Sequence, residues 1–335
     1  MRALYLFIFL SFVPSALLAA PPVDWRRDFT AQTFEAAKRE NRLVLLDLEA
    51  VWCHWCHVMD EKTYSQNNIR ELLAKKYITV RIDQDARPDL GNRFREYGWP
   101  ATIIFSSEGE ELEKLAGFVE PVEMEKLLRE LVENPKPRTE KRSIVFSEAS
   151  SLSPSLRDEL KKRYEASLDR TRGGLNTSHR FLEVDTIEYG LKQIGDPNDA
   201  NAQFVKVSLE NNQKLLDPVW GGVYQYSTNR DWEHPHFEKI AVKQADNLRL
   251  YAEAFALFKS ERDLAAIKNI RGYLRRFLQD PNGGAFYTSQ DADVVKGEHS
   301  ADYFDLPDAE RLKRGIPAID KNIYASENGR IISAL

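Results

Sequence analysis

The sequence predicts an α/β layer domain followed in the same chain by an all-α domain, a solenoid or a closed (α/α) toroid of helix pairs. Three observations carry that prediction. From residue 42 to 134, short apolar runs alternate with segments of helical pattern, as strands covered by helices do. Past residue 154 the strand-like runs all but vanish, and amphipathic helices follow one another. Between those helices one loop recurs, with Asp shortly before Gly-Gly and an apolar residue after it.

The elements run in the following order. Residues 33–41 have helix-forming composition and stop at Asn41. "RLVLLDLEA" (42–50) is a buried-strand run. Residues 59–77 read as one helix with Ile69, Leu72 and Leu73 on a face, and "ITVRID" (78–83) as a second strand. Residues 88–98 form a short helix. "WPATIIFSSEGEEL" (99–112) gives a strand, a turn at Gly109 and the start of a further strand. Residues 120–134 close with an amphipathic helix. These elements define a domain over 21–134, and a charged, proline-bearing linker over 135–154 leads to a helical domain over 155–335.

In the helical domain, residues 155–170, 183–194, 199–216, 239–259 and 262–279 are the amphipathic segments. The recurring loops are "DRTRGGLN" (169–176), "DPVWGGVYQYS" (217–227) and "DPNGGAFYTS" (280–289). Helix pairs joined by a repeated glycine loop indicate a solenoid or a closed toroid. Ile331, Ile332 and Leu335 begin an apolar face at the end of the chain, so the ring is expected to be incomplete within it.

Composition narrows the class. The chain has 335 residues, 42% hydrophobic and 30% charged, with a net charge of -5. Such a chain builds a real core and has no basic footprint for nucleic acid. Residues 1–20 open with Arg2, continue as an apolar run broken by Pro14 and end in Ala19-Ala20, the pattern of a secretory signal peptide. The expected location is extracytoplasmic, most simply a periplasm, with an uncleaved anchor as the alternative. Export favours structural disulfides. The only two cysteines, Cys53 and Cys56, are too close to staple distant segments, so they serve reactivity or ligation.

"VWCHWCHVMD" (51–60) reads three ways: a C-x-x-C dithiol, a C-x-x-C-H haem attachment through His57, or a zinc site of thiols and imidazoles. Context favours the dithiol. The motif follows a buried strand and opens a helix, where a thiolate is stabilised by the helix dipole and free N–H groups. Asp47 lies in that strand, and Pro100 precedes "ATIIF", the layout of thioredoxin. Cys53 is expected to be the exposed nucleophile with a lowered pKa, and Cys56 the resolving thiol. His54 would stabilise the Cys53 thiolate, and Asp47 would relay a proton for Cys56. Pro100, if cis, would present the Trp99 backbone to an extended substrate, with Trp55 as an apolar contact or a rim-packing residue. His57 would orient the helix start. No metal and no cofactor are expected.

"CHWCHVM", "IDQDARPDL" and "GWPATIIF" resemble the spermatogenesis-associated thioredoxin-like proteins and their bacterial relatives. The resemblance continues in "HFEKIAVKQA" (236–245), "GGAFYTSQDADV" (283–294) and "DKNIYASENGRIISAL" (320–335). It implies a thioredoxin-like domain joined to a six-hairpin (α/α) toroid, like that of epimerases and glycosidases acting on sugars. It also implies a fuller toroid than this chain contains.

The chain departs from that family where Ile240, Ala241, Val242 and Lys243 replace Met-Leu-Tyr-Asp, where Gln290 stands for Glu, and where Glu327 stands for Trp. An acid and an aromatic of a sugar pocket are thereby missing. His236, Glu238, Asp291 and Asp293 remain as a candidate toroid pocket, and Trp220, Tyr224 and Tyr287 as a stacking surface for carbohydrate. His234 and His236 lack a third partner for a metal. Two functions follow: an exported thiol–disulfide oxidoreductase whose helical domain holds client protein or carbohydrate, or a carbohydrate-active toroid with an accessory redox domain. Clients are protein thiols or disulfides; the redox partner cannot be read. The two sites are expected to lie in separate domains, with little direct coupling across the linker.

Overall fold

The computed structural model describes residues 20–95, 98–138 and 150–335. Most of the expected signal segment, residues 1–19, and the linker residues 139–149 lie outside these.

The first domain comprises α1 (Ala31–Glu40), β1 (Leu43–Glu49), α2 (His54–Met59), α3 (Asn67–Lys76), β2 (Tyr77–Asp83), α4 (Pro88–Phe94), β3 (Ala101–Phe105), β4 (Glu111–Ala116) and α5 (Pro121–Glu133). The sheet order is β2-β1-β3-β4. β1 runs parallel to β2 and antiparallel to β3, which pairs antiparallel with β4. Side chains alternate across the sheet. Val44, Leu46, Leu48 and Ile103 face the layer of α1 and α4, where Ala37, Leu90 and Phe94 complete a core. Leu45 and Ile104 face the other layer and meet Ile69 and Leu73 of α3 and Met124, Leu128 and Leu131 of α5. This is the thioredoxin-like arrangement expected from the order of elements. α1 ends where Asn41 enters the left-handed region with φ 51°.

The single helix expected over 59–77 is interrupted. A π-helical segment, Asp60–Tyr64, continues α2, and a turn at Ser65 and Gln66 precedes α3. The break carries Tyr64 into the core edge-on to Trp25, with ring centroids 5.0 Å apart. The Tyr64 carbonyl accepts from Arg70 Nε at 3.2 Å. Past α5, the start of the linker lies along the sheet edge, where Arg138 N–H donates to the Leu112 carbonyl.

The second domain is helical. It comprises α6 (Pro154–Ser167), α7 (Val184–Lys192), α8 (Ala200–Asn212), β5 (Tyr226–Ser227), β6 (Pro235–His236), β7 (Lys239–Ile240), α9 (Ala241–Phe258), α10 (Glu261–Tyr273), β8 (Ser289–Gln290), α11 (Ala301–Phe304), α12 (Asp308–Arg314), β9 (Ile319–Asp320) and α13 (Ala325–Ala334). α9 is central and packs against α7, α10 and α13. Its buried residues surround the helix, as a position with neighbours on several sides requires. The helix expected from 239 begins at 241, because Lys239 and Ile240 pair as a strand with Gln290 and Ser289.

The three glycine loops share one bonding pattern. Asp169, Asp217 and Asp280 each donate their N–H across the loop, to the carbonyls of Gly174, Gly222 and Ala285. Their carbonyls accept from Gly173, Gly221 and Gly284 in turn. Each Asp carboxylate also caps backbone N–H groups inside its loop. Gly221 has φ 78°, and a Cβ there would lie 2.5 Å from the Asn269 carbonyl oxygen, so glycine is required on both counts. The repeat is therefore structural as well as compositional. This half is an (α/α) arrangement of the toroid type.

Candidate functional site: a dithiol enclosed between two domains

Cys53 caps the N-terminus of α2, and its Sγ accepts from the Cys56 N–H at 3.1 Å. Cys53 and Cys56 form a disulfide. The Trp99–Pro100 peptide bond is cis, and Trp99 packs against the cluster of Ala50, Trp52, Cys53 and Cys56. The expectation of an exposed Cys53 is corrected: both cysteines are only 3% exposed. The cover comes partly from the helical domain, since Ile240 packs on this same cluster.

In α2, His54 and His57 are three residues apart and share a face. That face meets the helical domain. His54 Nδ1 lies 2.7 Å from Asp293 Oδ1, and His57 Nδ1 lies 3.1 Å from Asp293 Oδ2. Asp291 Oδ2 is 3.7 Å from His57 Nδ1. β8 sets this geometry, because Asp291 and Asp293 directly follow it and β7 carries Ile240 beside it. Asp293 Oδ2 also accepts from the Gly297 N–H at 2.8 Å. A Cβ at Gly297 would collide with the Glu61 carboxylate, so the loop closes tightly on the first domain. The candidate toroid pocket and the dithiol are thus one site, contrary to the expectation of separate domains with little coupling.

The charges follow from this packing. Burial opposes the imidazolium of His54, but the hydrogen bond to Asp293 and the charges of Asp293 and Glu238 outweigh it and raise its pKa. His57 is raised in the same way by Asp293 and Asp291 against its burial. The two histidines hold the Asp293 carboxyl down at about 2 although burial works the other way. Burial pushes Asp291 up to about 6 and Glu238 up to about 7. One oxygen of each has no hydrogen-bond partner among the described residues. Burial also pushes His236 down to about 4, where it stacks on Tyr226 with centroids 4.4 Å apart. The donor atoms of His57, Asp291 and Asp293 lie within 4.8 Å of one another, a spacing open to a cation. His234 stands apart, exposed and paired with Asp231 at 2.9 Å.

Asp47 is 1% exposed, and its carboxylate accepts from Arg81 Nε at 2.8 Å. Arg81 also bridges to Asp60 and lies 4.0 Å over the Trp25 ring. Burial pushes Asp47 up to about 6 against the attraction of Arg81. Asp47 thus has a guanidinium partner that sequence reasoning missed. The signal was Arg81 within the mostly apolar run 78–82 of a buried strand, which demands a buried acid.

A cavity of about 820 Å³ opens beside the disulfide. Its first wall carries Trp52, Cys53, His54, Trp55, Trp99 and Phe118, and its second wall carries Leu175, His179, Phe181, Tyr226 and Glu238 of the helical domain. Trp55 is 39% exposed. The expected carbohydrate surface is not there. Trp220 and Tyr224 are each 4% exposed and pack in the helical core, leaving Tyr287 half-buried.

A thioredoxin-like domain with a C-x-x-C disulfide at a helix start, closed over by a helical domain, has the architecture of a thioredoxin-like dithiol protein. Residues 15–151 match a family model described as "Protein of unknown function, DUF255" (Thioredox_DsbH). The chain is 27% identical over 312 residues to spermatogenesis-associated protein 20 of Homo sapiens, covering 81% of this chain and 39% of that protein. It is 33% identical over 87 residues to the SPbeta prophage-derived thioredoxin-like protein YosR of Bacillus subtilis (strain 168), covering 26% of this chain and 96% of that one. Among solved structures, "DsbH Oxidoreductase" matches with a TM-score of 0.31 and 18% identity, over 36% of this chain and 93% of that chain. The first domain is thus thioredoxin-like, and the chain is similar to the spermatogenesis-associated proteins over most of its length. It spans about two fifths of the length of those relatives.

Proposed function

We propose that this protein is an exported thiol–disulfide oxidoreductase that acts on a client segment seated in the interdomain cavity. The observation that carries the reading is Cys53 of the disulfide in the wall of that cavity, among Trp52, Trp55, Trp99 and Phe118 and opposite Leu175, Phe181 and Tyr226. In the reduced protein, the Cys53 thiolate attacks one sulfur of a client disulfide and expels the other as a client thiolate. Cys56 then attacks the Cys53 sulfur of the mixed disulfide and releases the second client thiol. The client gains two electrons, and the protein returns to the Cys53–Cys56 disulfide. Running backwards, the same steps oxidise a client dithiol. Apolar lining favours a client cysteine flanked by apolar residues. The pattern of residues 1–20 supports export.

Trapping tests this reading. Reduced Cys56→Ser protein mixed with a disulfide-bonded peptide of apolar flanks should accumulate a mixed disulfide through Cys53. Cys53→Ser protein should accumulate none. Absence of any adduct in the first case overturns the exchange reaction. Fractionation of cells expressing the full chain tests export separately.

A further inference from the structure

We propose that Asp293, in the helical domain, is a positioning residue for the dithiol, holding His54 and His57 so that the redox equilibrium of Cys53 and Cys56 depends on the helical domain. The inference deepens the reading above and rests on it. One carboxylate uses both oxygens on two imidazoles of the C-x-x-C helix, at 2.7 and 3.1 Å. It is 3% exposed, and the Gly297 N–H fixes it from behind. A buried carboxylate placed this way favours the imidazolium form of both rings. His54 adjoins Cys53 in the chain and lines the same cavity, so its charge acts on the Cys53 sulfur at short range.

The other charged groups facing the pair are Glu238 and the rings of His236 and His299 near His54, with Asp291 and Lys296 near His57. None of these bridges both histidines. An adjacent imidazolium stabilises a thiolate, and a stabilised thiolate favours the reduced dithiol over the disulfide. In Asp293→Asn the anion that favours the His54 imidazolium is gone, burial favours the neutral ring, and that field is weakened. The disulfide then becomes the more favoured form.

The experiment equilibrates the full chain with glutathione buffers and counts the disulfide fraction by alkylation and mass. At pH 7.5 the constant for oxidation should rise about three- to tenfold in Asp293→Asn, as expected for a charge pair at this range. As pH falls and the histidines of the variant also take up protons, the difference should shrink. A merely structural role moves neither the constant nor its pH dependence. In a His54→Gln background the Asp293→Asn effect should largely vanish, which a double-mutant cycle reads directly. An unchanged constant, or an equal effect in that background, overturns the inference. If Asp293→Asn does not fold, His54→Gln alone must raise the constant at pH 7.5, and no rise overturns it. Failure of the wild-type protein to exchange with peptide disulfides, with these constants still measurable, refutes the proposed function instead.

Discussion

Asp217 accepts from Lys239 Nζ at 2.7 Å with both side chains sealed from solvent. The same oxygen accepts from Arg311 Nη1 at 2.7 Å, so one carboxylate holds two buried cations. Lys239 immediately precedes Ile240, which covers the dithiol. The ion cluster therefore anchors the strand that closes the site.

Removing Asp217 leaves two cations without their shared anion. Asp217→Asn should destabilise the protein by about 3–5 kcal/mol, the usual scale for breaking a buried charge network. Asp169→Asn, at the equivalent loop position, where the carboxylate is itself partly exposed and its partner Arg180 is buried, should cost about 1–2 kcal/mol. Urea unfolding followed by circular dichroism measures both. Equal losses would mean that burial of the Asp217 cluster adds nothing.

Ile240 screens the disulfide from the helical side. Ile240→Ala should speed reduction of the disulfide by dithiothreitol severalfold, with a stability loss of about 1–2 kcal/mol because the side chain is only partly buried. Stopped-flow tryptophan fluorescence follows the reduction. A rate equal to wild type would show that access runs through the cavity alone.

Stability should depend on pH through Asp85. Burial, then the charge of Asp83, pushes its carboxyl up to about 7, with Asp320 and Glu327 of the helical domain adding to the repulsion. The folded state thus binds this proton more tightly than the unfolded chain, whose carboxylate titrates near 4. The contribution to stability is full below about pH 4 and is lost as pH rises through about 7. Asp85→Asn cannot ionise and can still accept from Trp52 Nε1, the 2.8 Å partner of Asp85. Its melting temperature should exceed wild type by a few degrees at pH 8 and converge with it near pH 4. A constant difference across that range would remove Asp85 as the cause.

The glycine loops make different demands on their glycines. Gly221→Ala meets the Asn269 carbonyl as well as a left-handed backbone, whereas a Cβ at Gly284 meets nothing within 4 Å. Gly284→Ala should cost about 1 kcal/mol, the left-handed penalty alone. Gly221→Ala should cost clearly more. Thermal denaturation of the two variants measures the difference.

The strands of the first domain were legible because a doubly covered strand such as Val44–Leu48 is apolar but for Asp47. The C-x-x-C chemistry was legible because its flanking elements were. The glycine loops announced the repeat, since backbone requirements leave the same residues each time. Three features were not legible. The paired segments at Lys239–Ile240 and Ser289–Gln290 are two residues long, too short to carry a period. Trp220 and Tyr224 lie in a loop segment, yet fold inward, where Trp220 stacks against Phe277. Asp293 meets His54 across 239 residues, and only the docking of two domains creates that contact. A trace existed in the two histidines three apart on one helical face, which are hard to bury without an anion.

Linkage runs in both directions. Whatever free energy the Asp293 bridge lends to the reduced dithiol, the reduced dithiol returns to the grip between the halves of the molecule. Oxidation then loosens that grip by the same factor. A protein so wired reports its electron count as a change in how firmly it stays shut, and a client that has just given up or taken electrons meets a pocket of altered firmness at the moment it must leave.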